Sequence, residues 1–228
     1  MFFDHITAGA CLLALLIVTI LLVIAMLSLI RSYVDDPVQH PDGASAMFVL
    51  GSGGHTTELL SIVNDLRFEK YPNRTWVSFS GDSLSIVRAM DLEQKKRDEA
   101  QDTKSGKSVG SMTSVHLPRA RTVGQSYFTS IFTTLICALQ CLYTVYNVRP
   151  DLIICNGPGS CVPICFAALL LRALGLSRGR IVYVESLARV NSLSLTGKML
   201  YYVVDRFIVQ WPQLAEQYEG AEYVGLIA

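Results

Sequence analysis

From residue 46 onward the chain alternates short apolar runs with longer segments whose apolar residues recur at helical spacing. The runs Ala46–Leu50, Thr75–Ser80, Ser114–Leu117, Asp151–Asn156, Arg180–Glu185 and Arg206–Val209 predict strands, and Glu222–Val224 predicts a last short one. Helices are predicted over Thr56–Arg67, Ser83–Lys96, Ser126–Val148, Cys161–Leu174, Leu195–Val204 and Gln213–Glu219. Strands that are apolar at successive positions are buried on both faces. Alternated with helices, they imply a mostly parallel sheet covered on both sides. Right-handed crossovers make this a doubly wound, Rossmann-like α/β domain.

Three segments depart from the alternation. Ile6–Ile30 is 25 residues without a charge, long enough to span a hydrocarbon core of about 30 Å. It is longer than a signal-peptide core, starts without basic residues and is followed by Arg31, so it reads as a retained anchor. Arg31 places the C-terminal side in the cytosol by the positive-inside rule. The chain then divides into a tail (1–5), a transmembrane anchor (6–30), a polar linker with two prolines (31–45) and a domain (46–228). Tyr127–Val148 is apolar enough for a second span, but spanning would break the strand–helix order. It reads as a buried or membrane-touching crossover helix. Leu92–Met112 is a polar insert: ten of the 17 residues from Asp91 to Lys107 are charged, with mixed sign. It reads as a solvated, partly disordered loop.

Composition changes little beyond this. Lysine plus arginine and aspartate plus glutamate balance at 19 each, so charge gives no argument for nucleic acid. Six cysteines (Cys11, Cys137, Cys141, Cys155, Cys161, Cys165) show no C-x-x-C spacing. They read as buried, reduced thiols of a cytosolic domain, with no structural metal site.

The chemistry concentrates at three strand ends. Gly51-Ser52-Gly53-Gly54-His55-Thr56 follows the first strand and opens a helix. Asn156-Gly157-Pro158-Gly159-Ser160 follows the fourth strand and opens another, and Glu185-Ser186 follows the fifth. Ligands of a doubly wound sheet sit at the carboxyl rim, and two glycine turns at helix N-termini make an anionic cleft suited to a phosphate or diphosphate. The first loop is neither a Walker A nor a full dinucleotide fingerprint, because no lysine follows the glycines and Thr56 stands at the third-glycine position. A nicotinamide- or flavin-dependent reductase is thereby disfavoured. His55 can be a general base, a donor to a diphosphate, or a helix-start residue without a role. Glu185 can orient a hydroxyl, act as an alternative base, or pair with Arg189. Asn156 and Ser160 can cap the turn or touch substrate. Arg119 and Arg121 can bind phosphate or stay solvated.

GSGGHT (51–56), HLPRARTVGQSY (116–127), RPDLIICNGPGSCVPI (149–164), YVESLARVNSLSLTGKMLYYVVDRFIVQWPQL (183–214) and the terminal EYVGLIA together resemble one family. It is the membrane-anchoring subunit of the UDP-N-acetylglucosamine transferase that adds the second GlcNAc to dolichyl-diphosphate-GlcNAc. The resemblance covers residues 46–228 and implies the N-terminal, acceptor-side half of a GT-B glycosyltransferase split over two chains. It further implies a small cytosolic partner carrying most of the UDP-GlcNAc site. The location implied is the cytosolic face of the endoplasmic reticulum membrane, and the reaction an inverting β1,4 transfer. UDP-GlcNAc is then the donor, with no covalently bound cofactor. On this resemblance His55 and Glu185 are the catalytic candidates. Gly51, Ser52, Gly53, Gly54, Thr56, Asn156, Gly157, Gly159 and Ser160 are the acceptor- or diphosphate-binding candidates. The apolar Gly225-Leu226-Ile227-Ala228 either docks on the partner or closes the domain's own sheet. A non-catalytic membrane scaffold for a self-sufficient soluble transferase is the rival reading.

Overall fold

The computed structural model describes residues 43–102, 110–120 and 127–227. Seven strands form one sheet: β1 (Ser45–Val49), β2 (Asn73–Phe79), β3 (Ser111–Leu117), β4 (Leu152–Asn156), β5 (Arg180–Val184), β6 (Arg206–Val209) and β7 (Ala221–Tyr223). Their order is β3-β2-β1-β4-β5-β6-β7, and every neighbouring pair is parallel. The helices are α1 (Gly54–Asn64), α2 (Ser83–Asp102), α3 (Tyr127–Val148), α4 (Val162–Ala173), α5 (Leu195–Leu200) and α6 (Pro212–Gln217). The predicted strands all occur, with ends displaced by a few residues. The predicted anchor (6–30), nearly all of the linker, Arg121 and Cys11 lie outside the described residues.

Around β1 the sheet is covered on both faces, as its apolar run required. Side chains alternate along β1, so Ala46, Phe48 and Leu50 join Leu59 and Val63 of α1 on one face. Met47 and Val49 join Cys137, Cys141 and Val145 of α3 and Ile164 of α4 on the other. Each fully buried aliphatic side chain contributes roughly 1.5–3 kcal/mol, which makes β1 the spine of both cores.

α3 links the edge strand β3 to β4, three places across the sheet and past β2 and β1. That long crossover accounts for its 22 residues without a membrane span. One stripe, Cys137, Cys141 and Val145, packs inward at four-residue spacing. The opposite face exposes Ile131, Phe132, Leu135, Ile136, Leu139 and Tyr143.

The reading of 92–112 as a loop is corrected at both ends. α2 continues to Asp102 and β3 begins at Ser111. Ile86, Ala89 and Glu93 follow one another at helical spacing against the sheet, and Glu93 is 1% exposed. Arg74 on β2 donates through Nε and Nη2 to its two carboxylate oxygens at 2.8 and 2.7 Å. Trp76 Nε1 adds a third bond at 2.9 Å. A buried carboxylate with three donors fixes the helix where composition alone suggested solvent.

Candidate functional site

The sheet order reverses direction between β1 and β4. The chain leaves β1 toward β2 on one side, and returns from β3 to β4 on the other. This is the topological switch point at which doubly wound sheets hold ligands. The register pairs Val49 with Cys155, so Gly51 and Gly157 lie side by side at the rim. Both glycines are required there. A β-carbon on Gly51 would meet Pro158 Cγ and His55 Cβ at 2.7 Å. One on Gly157, whose φ is +58°, would stand 2.2 Å from His55 Nδ1.

The first loop is held from beneath. Thr56 Oγ1 donates to the Gly51 carbonyl, and Ser85 Oγ lies 2.9 Å from the same oxygen. Ser85 Oγ is 2.6 Å from Asp82 Oδ2, and Asp82 Oδ1 accepts the Ser85 N–H at the start of α2. Gly53, with φ +63°, turns the chain into α1. Among the described residues no side chain caps the first turn of α1 or the 3-10 turn Gly159–Cys161 that leads into α4. Each start therefore leaves its amide groups and partial positive charge for an anion.

The two loops that carry these starts border a cavity of about 380 Å³. Gly51, Ser52, Pro158, Gly159 and Ser160 form its walls, with Asp82 and Arg119 from the ends of β2 and β3. Arg119 is the cation of that wall. Ser52, Gly159, Ser160 and Arg119 thus meet where the strand-end argument expected. Thr56 does not: it is 1% exposed and its hydroxyl is spent on the loop carbonyl.

His55 sits beside this cavity, over Gly157, in a second cluster. Its Nδ1 is buried, with no hydrogen-bond partner among the described residues, and lies 3.6 Å from Glu58 Oε2. Glu58 joins all three predicted loops. Oε2 accepts from Asn156 Nδ2 at 2.8 Å, and Oε1 from Ser186 Oγ at 2.9 Å and Leu187 N at 3.3 Å. Asn156 is fully buried, so its amide orientation is set by Glu58 rather than by a helix cap. The sequence reasoning missed Glu58. Its one visible signal was a carboxylate one helical turn after His55.

Glu185 lies deeper. It is 0% exposed, and both carboxylate oxygens are occupied. Ser186 N donates to Oε1 at 3.0 Å, and Ser194 N and Oγ donate to Oε2 at 2.9 and 3.0 Å. The Tyr183 hydroxyl donates to Oε1 at 3.4 Å. Burial, then the Glu185 charge, pushes the Tyr183 hydroxyl far above the usual phenol range, so it remains a donor. Exposed Arg189 is not what holds this carboxylate.

The five described cysteines are free and buried. The sulfurs of Cys155, Cys161 and Cys165 lie within 4.8 Å of one another beneath the second glycine loop. Hydrogen bonding among them and burial push the Cys155 thiol well up, which keeps it protonated and unreactive.

The molecule is therefore a doubly wound, all-parallel α/β domain with a glycine-walled cavity and an adjoining histidine–carboxylate cluster at its switch point. Residues 46–227 match the family described as "Oligosaccharide biosynthesis protein Alg14 like", and the chain belongs to that family. It is 44% identical over 181 residues to the UDP-N-acetylglucosamine transferase subunit ALG14 of Yarrowia lipolytica, covering 79% of this chain and 80% of that one. The protein of the same name from Homo sapiens is 41% identical over 189 residues, covering 82% and 84%. Among solved structures, the crystal structure of Acinetobacter baumannii MurG overlays with a TM-score of 0.46 at 14% identity, over 74% of this chain and 41% of that chain.

Proposed function

We propose that the chain is the membrane-bound, acceptor-side subunit of a split inverting GT-B transferase that moves GlcNAc from UDP-GlcNAc to dolichyl-diphosphate-GlcNAc. The observation that carries the reading is the cavity walled by both glycine loops beside His55, in a chain whose relatives are named as subunits of a UDP-N-acetylglucosamine transferase.

In this reading the amides of Gly53, Gly54 and the Gly157–Ser160 loop, with Arg119, receive the acceptor's diphosphate. The acceptor sugar then reaches His55. Its 4-hydroxyl oxygen bonds to C1 of the donor GlcNAc while the C1–oxygen bond to UDP breaks. The hydroxyl proton passes to His55, and the electron pair of the broken bond leaves on the UDP β-phosphate. Glu185 serves as a positioning residue that holds the 185–194 loop. A cytosolic partner supplies the donor wall of the cleft and most of the UDP-GlcNAc site.

The anchor over 6–30 and the exposed apolar face of α3 keep the cleft at the cytosolic surface of the endoplasmic reticulum membrane, where the lipid-linked acceptor is concentrated. The test is transfer from labelled UDP-GlcNAc to a GlcNAc-diphosphate-lipid, by purified chain alone and with a cytosolic fraction. Activity only with cytosol is expected. Activity of the chain alone would contradict the division of the site. Full transfer by a membrane-tethered partner lacking residues 46–228 would favour the scaffold reading instead.

A further inference from the structure

We propose that Glu58 is the positioning residue of His55. Its carboxylate selects the Nδ1–H tautomer and fixes the ring, leaving Nε2 as the free acceptor. The inference rests on the reading of His55 as the base.

The geometry restricts the ring from two sides, and one of the two groups is itself anchored. Glu58 follows His55 by three residues on α1, so the two side chains share one helix face. Gly157 closes the side of the ring nearest β4, close enough to exclude even a methyl group. Glu58 itself cannot swing away, because Asn156, Ser186 and Leu187 hold both of its oxygens. An anchored acceptor orients an imidazole, as the carboxylates behind catalytic and metal-bound histidines do.

The tautomer follows from charge. Nδ1 is buried with no hydrogen-bond partner among the described residues, and Glu58 Oε2 lies 3.6 Å from it. An unprotonated Nδ1 would set a lone pair against a carboxylate oxygen, whereas Nδ1–H turns the same contact into an attraction. Tightening by about 0.5 Å makes it a hydrogen bond, a change of the kind catalytic contacts undergo when substrate arrives. Of the other carboxylates near the rim, Asp82 is engaged with Ser85, and Glu185 with Ser186, Ser194 and Tyr183. Glu58 is thus the carboxylate placed to act on this ring.

The test uses the full chain labelled with 15N-histidine. There are four histidines, and His55→Gln identifies the one signal needed. Two-bond nitrogen–proton correlations report the tautomer. Nδ1–H is expected in the unaltered chain, and Glu58→Ala is expected to move His55 toward Nε2–H. Glu58→Asp, which retains the charge but retracts it, is expected to move the signal part of the way, and serves if the alanine variant fails to fold. In the complex with the partner, Glu58→Ala should lower kcat on the order of 10- to 100-fold, with KM for UDP-GlcNAc nearly unchanged. An unchanged tautomer in both folded variants overturns the inference even if His55→Gln abolishes transfer. If His55→Gln leaves transfer intact, the base assignment fails, and the tautomer measurement still decides whether Glu58 positions the ring.

Discussion

His55 and Gly157 are in contact across the switch point: the imidazole occupies the space where any other residue at 157 would place its β-carbon, 2.2 Å from Nδ1. The loop after β4 therefore sets the position of a side chain carried by α1. Gly157→Ala should displace the ring and strain a backbone held at φ +58°. Left-handed strain of this kind costs about 1–2 kcal/mol. Transfer by the complex is expected to fall at least tenfold, with a modest loss of thermal stability. A variant that melts lower but transfers normally would separate the contact from catalysis.

Glu185 offers a contrast. It is fully buried beneath four donors, so its removal should act on stability before it acts on chemistry. Glu185→Ala leaves those donors without their acceptor, at a cost of roughly 3 kcal/mol or more. Thermal unfolding and transfer should decline together. Normal stability with lost transfer would return Glu185 to the list of bases.

The polar face of α2 makes its own prediction. Glu93 accepts from Arg74 and Trp76 in the core, and removing one partner of a buried ion pair costs roughly 3–5 kcal/mol. For a domain of this size, Glu93→Ala should lower Tm by on the order of 10 °C. Charge-removing substitutions at Lys95 or Glu99, on the exposed side of the same helix, should change it by a degree or two at most. Equal effects at all three positions would mean that this segment is not packed as a helix.

The exposed face of α3 should bind lipid. Leu135→Lys with Leu139→Lys alters side chains that are 57% and 58% exposed, so the fold should be unaffected. Sedimentation of the 46–228 segment with liposomes should be reduced by the double substitution, provided the segment alone keeps a cooperative thermal transition. Undiminished sedimentation would remove α3 from the membrane contact.

Much of the architecture was legible because parallel strands are written as short apolar runs. Both faces of β1 and nearly all of β4 are buried, and no solvent-facing alternation obscures them. The glycine loops were legible because loops that pack this closely at a strand end need residues without side chains. What escaped were side chains whose meaning lies far away in sequence. Glu93 sits in a charged run and looks solvated until Arg74 and Trp76, 19 and 17 residues earlier, are brought against it. Glu58 looks like an ordinary helix-surface acid until Asn156 and Ser186, 98 and 128 residues later, close on it. Thr56 and Glu185 differ in the opposite sense. Both occupy loops that make a site, but their polar atoms face inward and shape the loops from below.

The most direct measurement is the turnover of the reconstituted complex with His55→Ala in this chain and the partner unaltered. Loss of a general base lowers turnover by about 10²–10⁴-fold. The expected result is a fall of that size in kcat, with the two chains still co-purifying and KM for UDP-GlcNAc little changed. Turnover equal to that of the unaltered complex would contradict the account, and would move the chemistry out of this chain.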